Sequence, residues 1–174
     1  MEPLQPKPTL VILGAGHVGK AVAHLAHWLG FYVAVSDDRV EMCNPEAIPD
    51  GDAFYPVLMA DLPAHLKITP WTYLVLTTRG VDVDVAGLPA LLDTPAAYIG
   101  LIGSRRRWSM TRKQLLEKGV SEEKLGRVRS PIGLELNAET PEEIAVSILA
   151  EVIMLQKGGS GQAMAAQMEK KDVA

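Results

Sequence analysis

Apolar residues fall into short blocks along the chain, and the spacing inside successive blocks alternates between two kinds. "TLVIL" (residues 9–13) is an unbroken β-branched and leucine run that stops at glycine, the pattern of a strand buried on both faces. "HVGKAVAHLAHWLG" follows with apolar side chains at helical spacing, Val18, Val22, Leu25, Ala26 and Leu29, and Gly30 is placed to end the helix. "FYVAVS" (31–36) is the next strand. Strand, helix and strand thus fit within about 30 residues, the length of a βαβ unit.

The alternation continues through "FYPVLMA" (54–60), "WTYLVLTT" (71–78) and "YIGLIG" (98–103) as third, fourth and fifth strands. Helices are expected around 60–66 and 84–93, with Pro63 and Pro89 near their boundaries. "RRRWSMTRKQLLEKG" predicts a helix ending at Gly119, and "SEEKLG" a short one after it. In "ETPEEIAVSILAEVIMLQKGG", Thr140 suits the N-cap, Pro141 the first helical position and Glu143 the third, a complete capping box. Ile144, Ile148, Leu149, Val152 and Leu155 form the buried stripe of that helix. Parallel strands need crossover connections, so this order predicts an α/β fold: one Rossmann-like, doubly wound domain with a mostly parallel sheet. Residues 1–8 read as a leader, 9–156 as the domain, and the glycine-rich then polar segment 157–174 as a flexible or partner-dependent tail.

Composition narrows the function. The 174 residues are 48% hydrophobic and 22% charged, which suits one folded domain and argues against disorder. A net charge of -4 leaves no basic surplus for nucleic acid. No run approaches the roughly 18 apolar residues of a membrane span, and no export signal is visible. The single cysteine, Cys43, excludes an intramolecular disulfide and fits a cytoplasmic location. A slightly positive mean hydropathy of +0.11 in so small a domain suggests a homodimer.

Ligands of such sheets bind at the carboxyl ends of the strands, and the candidate chemistry gathers there. "GAGHVG" matches G-x-G-x-x-G between a strand and a helix: Gly14 for the tight turn, Gly16 for close approach of a pyrophosphate, Gly19 for helix packing, with His17 and Val18 in the first helical turn. The same glycines would also serve strand-to-helix packing alone. Asp37 lies eighteen residues beyond Gly19 and is placed to accept ribose hydroxyls, favouring NAD-like over NADP-like ligands. Asp38 would share that task, and Arg39 would stack on a base or offset the charge. Thr78 and Arg79 close the fourth strand; Gly103, Ser104 and Arg105 close the fifth, with Ser104 capping the next helix and Arg105 completing an anion pocket. Successive helical side chains diverge by about 100°, so the three arginines of "GSRRR" cannot all face one site. Neither a catalytic triad, a Walker lysine nor an H-E-x-x-H motif is present.

"LVILGAGHVGKAVAHLA", "VAVSDDR", "YLVLTTRG", "YIGLIGSRRR" and "SPIGLELNAETPEEIAVSILAEVI" together resemble the carboxyl-terminal Rossmann domain of the xanthine dehydrogenase accessory factor family, the XdhC/CoxI type, over about residues 9–156. The resemblance implies a non-catalytic, chaperone-like role: binding the molybdenum cofactor (molybdopterin or its dinucleotide form), supporting its sulfuration and delivering it to a xanthine dehydrogenase-like molybdenum hydroxylase client. The cofactor's phosphate or pyrophosphate suits helix-terminus amides and an arginine. Full-length members usually carry an amino-terminal domain, so a separate chain supplying that domain is an expected partner. Many relatives have a histidine after "TRG", where this chain has Val81. The competing readings are a small NAD(P)-dependent oxidoreductase and an NAD- or AMP-sensing regulatory module.

Overall fold

The computed structural model describes residues 6–172; the leader positions 1–5 and tail positions 173–174 lie outside the described residues. Six strands form one all-parallel sheet in the order β3-β2-β1-β4-β5-β6, where β1 is Thr9–Leu13, β2 Tyr32–Ser36, β3 Ala53–Tyr55, β4 Thr72–Leu76, β5 Tyr98–Leu101 and β6 Val128–Arg129. Central β1 pairs with both β2 and β4, Leu13 standing opposite Ser36 and Leu76. Every carboxyl end therefore points to one rim, and the sequence order reverses beside β1. That doubly wound arrangement is the one expected.

Burial of β1 on both faces explains its unbroken apolar run. Leu10 and Ile12 face α1 (His17–Trp28) and α6 (Pro141–Lys157), in a core with Val22, Ala26, Ile148 and Val152. Val11 and Leu13 face the opposite side, where α3 (Val81–Leu92) and α4 (Arg105–Glu117) contribute Leu88, Leu91 and Leu115. The capping box of α6 forms as its sequence predicts, Thr140 Oγ1 accepting from the Glu143 amide and Glu143 from the Thr140 amide. Deeper along α6, buried Glu151 accepts from the Tyr98 hydroxyl at 2.7 Å and the Gly133 amide at 3.3 Å. Burial, then the carboxylate, push the Tyr98 hydroxyl well above its usual range, so it stays a donor.

Several expected boundaries move. The third strand ends at Tyr55 because Pro56 has no N–H for a ladder; the chain turns through a 3-10 segment, Met59–Asp61, into the four-residue α2, Leu62–His65. Helix α3 starts at Val81, earlier than expected, and passes through Pro89, which lies in its last turn among buried leucines. The short helix after α4 is α5, Glu122–Leu125. β6 is a two-residue edge strand, too short to show in the sequence. Within the segment read as a tail, Met164–Asp172 forms α7, with Met164 and Met168 exposed. Among the described residues, no helix is long and apolar enough to cross a membrane.

Candidate functional site

The rim is built outward from the β1–α1 turn. Gly14, at φ +117, sits so close to β4 that a Cβ there would collide with the Thr77 carbonyl carbon at 2.6 Å. Thr77 Oγ1 donates to the Gly14 carbonyl at 2.7 Å, and a Cβ on Gly19 would overlap that carbonyl too. These two glycines are demanded by the protein's own packing. Gly16, the N-cap of α1, is different: a Cβ there would meet nothing within 4 Å. The amides of His17, Val18 and Gly19 have no acceptor among the described residues, as expected of first-turn donors without a side-chain cap. Gly16 thus leaves room for a group to approach the positive end of a helix dipole.

At the end of β2, Asp37 is buried and fully engaged. Its Oδ2 accepts from the Ala15 amide at 2.8 Å and Arg39 Nη2 at 2.7 Å; its Oδ1 accepts from the Arg39 amide and Arg39 Nε, both at 2.9 Å. Burial alone would raise its pKa, but the Arg39 hydrogen bonds and the Ala15 amide outweigh that and lower it from 3.8 to about 2. A carboxylate held below its unfolded value stabilises the fold above that value and loses the contribution as pH falls. Wild type should lose roughly 2 kcal/mol of stability between pH 5 and pH 2 through this group. Urea midpoints across that range would show a steeper acid loss for wild type than for Asp37→Asn.

Asp38, beside it, is exposed and paired across to β4: Arg79 Nη1 and Nη2 donate to its two oxygens at 3.0 and 3.2 Å. Arg79 Nη1 is also 3.9 Å from Asp37 Oδ1. Asp37, Asp38, Arg39 and Arg79 form one charge-balanced cluster over the ends of β2 and β4, in which Arg39 offsets the Asp37 charge.

The arginine run after β5 divides. Ser104 caps α4, its Oγ accepting from the Arg107 amide at 3.1 Å, and the Arg105 and Arg106 amides are left without acceptors among the described residues. Arg105 and Arg106 are exposed and have no carboxylate partner among those residues. Arg107 instead folds back past Gly103 over the end of β4. Its Nη2 donates to Asp84 Oδ2 at 2.8 Å and to Thr78 Oγ1 at 2.8 Å, and Nε reaches Asp84 at 3.1 Å. Thr78 Oγ1 in turn donates to Asp84 Oδ1. Asp84 is 0% exposed, and that burial pushes its pKa up against the pull of Thr78 and Arg107.

All thirteen sequence-predicted residues therefore stand on one rim: Gly14, Gly16, His17, Val18 and Gly19 after β1, Asp37, Asp38 and Arg39 after β2, Thr78 and Arg79 after β4, Gly103, Ser104 and Arg105 after β5. Thr77, the first hydroxyl of the "TTRG" strand end, joins them, and Asp84 and Arg107, which the sequence pattern alone misses, complete the rim. Two signals point to them: an acid on the apolar face of α3, among Val85, Leu88 and Leu91, and the rule that helical side chains lean toward the N-terminus, which aims Arg107 at the strand end. His17 is exposed, and its side chain faces a separate groove of about 540 Å3 between α1 and α6.

A parallel sheet in this order, with a glycine turn at its switch point and open helix amides above it, defines a Rossmann-type domain. The chain belongs to the XdhC Rossmann domain family, which it matches over residues 10–152. An Escherichia coli K12 chain described as "Uncharacterized protein YqeB" is 38% identical over 91% of this chain and 29% of its own length. A Bacillus subtilis chain named as a probable xanthine dehydrogenase subunit is 33% identical over 88% of this chain and 44% of its own. "Molybdenum cofactor insertion chaperone PaoD" of Escherichia coli is 29% identical over 51% and 28%. The crystal structure of a xanthine dehydrogenase from Bacillus halodurans superposes with a TM-score of 0.77 at 33% identity, covering 88% of this chain and 46% of that one. The chain spans less than half the length of each of these relatives.

Proposed function

We propose that this domain is an accessory factor in molybdenum-enzyme maturation, which binds the molybdenum cofactor, supports its sulfuration and aids its insertion into a xanthine dehydrogenase-type hydroxylase. The observation that carries the reading is the cradle at Gly16: among the described residues, no contact requires the side chain to be missing there, and no acceptor satisfies the amides behind it. The donor set fits an anionic group. The His17, Val18 and Gly19 amides would hold a phosphate or pyrophosphate, and the Arg105 and Arg106 amides at the start of α4 would offer a second set, with the Arg105 guanidinium beside them. β1 and β5 are separated by one strand, so the two helix starts are spaced by roughly 10 Å across the sheet. When bound, the cofactor supplies its own molybdenum chemistry; these residues bind and orient it.

The relatives named for xanthine dehydrogenase and for cofactor insertion support a molybdenum hydroxylase as the client. An amino-terminal domain supplied by another chain, and pairing of two copies, belong to the same proposal. The test is reactivation of a cofactor-free xanthine dehydrogenase-type enzyme by free molybdenum cofactor, with and without this chain. Faster and fuller recovery of hydroxylase activity is expected with wild type and not with Gly16→Val. Equal recovery with and without the chain overturns the proposal.

A further inference from the structure

Helices α1 and α6 lie side by side on one face of the sheet and start at the same end, where Lys20 of one and Pro141 and Glu142 of the other line the groove of about 540 Å3. Its floor is apolar and in part small: Ala21, Leu25, Ala145 and Val146. Beyond the groove the two helices stay apolar and uncovered. Trp28, in line with His17, Ala21 and His24 on α1, is 78% exposed, and on α6 Val146 and Ile153 are 49% and 36% exposed. An apolar strip of this kind on the outside of a packed helix layer marks a surface that another protein covers.

The charges beside the strip point to what covers it. His24 Nδ1 is 3.0 Å from Asp50 Oδ2, so that acid is engaged within the chain. Lys20 and Glu142 face the same groove and are exposed, yet among the described residues neither makes an ion pair, with the other or with any third group. One face therefore carries an unpaired cation near the start of α1 and an unpaired anion near the start of α6. Such a face is complementary to itself.

We propose that two copies of this chain pair through the face formed by α1 and α6. It rests on the reading that two copies associate, and names the surface they use. A two-fold axis running along the groove sets α1 of each copy over α6 of the other, the arrangement of an isologous dimer. Lys20 then meets the partner's Glu142, and Glu142 meets the partner's Lys20, so the same attraction forms twice. Trp28, about two turns beyond Lys20, packs beside the partner's Ala150 and the partner's Ile153, which lie about two to three turns beyond Glu142. The small side chains of Ala21 and Ala145 let the helices of the two copies approach closely.

Sedimentation equilibrium over a concentration series tests this on wild type, Val146→Asp, Lys20→Glu, Glu142→Lys and the double reversal of Lys20→Glu with Glu142→Lys. Each replaced side chain is exposed in the single copy, so thermal melts should stay near wild type. Wild type is expected to dimerise and Val146→Asp to stay monomeric. Either single reversal sets like charges face to face and should weaken the dimer by about tenfold or more, whereas the double reversal restores it. Wild type that is monomeric at every concentration overturns the pairing and the face together, and leaves the strip to a different chain. A dimer that survives Val146→Asp, or single reversals that the double reversal does not rescue, overturns the face alone. Cofactor titration reports separately, because Gly16 and its amides belong to one copy: wild type that dimerises as described but binds no molybdenum cofactor overturns the accessory reading and leaves the dimer face standing.

Discussion

Arg107→Ala is expected to cost the domain about 3–5 kcal/mol, because it strips the guanidinium from a carboxylate that is completely buried. Asp84 has only Thr78 Oγ1 left as a side-chain partner in that variant, and burial already raises its pKa. Part of the loss is relieved by protonation of Asp84, so the deficit shrinks as pH falls toward the carboxylate range. Arg105→Ala and Arg106→Ala, which remove exposed side chains with no carboxylate partner among the described residues, should change stability by less than about 0.5 kcal/mol. Replacing the pair together, Asp84→Leu with Arg107→Leu, should recover much of the loss, since an apolar pair leaves no unpaired charge. Urea denaturation of the four variants decides it; an Arg107→Ala protein as stable as wild type would show that the Asp84 pair does not hold α3 to α4.

The glycine turn should divide by function when each position is given a side chain. Gly14→Ala forces an L-residue to φ +117 and drives a Cβ into the Thr77 carbonyl, for a cost of about 3 kcal/mol or more. Gly19→Ala pushes into the Gly14 carbonyl and should cost about 1–3 kcal/mol. Gly16→Ala has open space, so stability falls by at most about 1 kcal/mol, the difference between a glycine and an alanine N-cap. Its effect is on binding: a methyl group in the cradle should weaken cofactor affinity by at least about tenfold. Thermal melts paired with titrations separate the two classes, and a Gly16→Ala chain that melts like Gly14→Ala would mean that all three glycines serve packing.

The sheet was legible because both faces of β1, β2 and β4 are buried, which forces unbroken apolar runs. Strands that contribute little area left little trace: β6 has two residues, and Pro56 cuts β3 short after the apolar run has already suggested a longer strand. The rim was legible at the level of loops, since glycine turns and strand-end acids sit where the doubly wound topology needs them. Which side chain does what was not. Asp37 matches the spacing of a ribose acceptor, yet Arg39, two residues on, consumes both its oxygens. Among the three arginines, sequence spacing favours Arg105 beside the cap, whereas the backward lean of helical side chains sends Arg107 to Asp84, twenty-three residues away in sequence. Contacts between distant segments carry no local signature, so both assignments required the fold.

In the accessory-factor reading, the open amides and cradle at Gly16 receive the phosphate end of the molybdenum cofactor. Calorimetric titration of the purified chain with molybdenum cofactor and, in parallel, NADH, repeated on Gly16→Val and Arg105→Ala, tests it most directly. The expected result is cofactor binding that Gly16→Val abolishes and Arg105→Ala weakens while both variants melt close to wild type. NADH binding without cofactor binding, or cofactor binding indifferent to Gly16→Val, would contradict it.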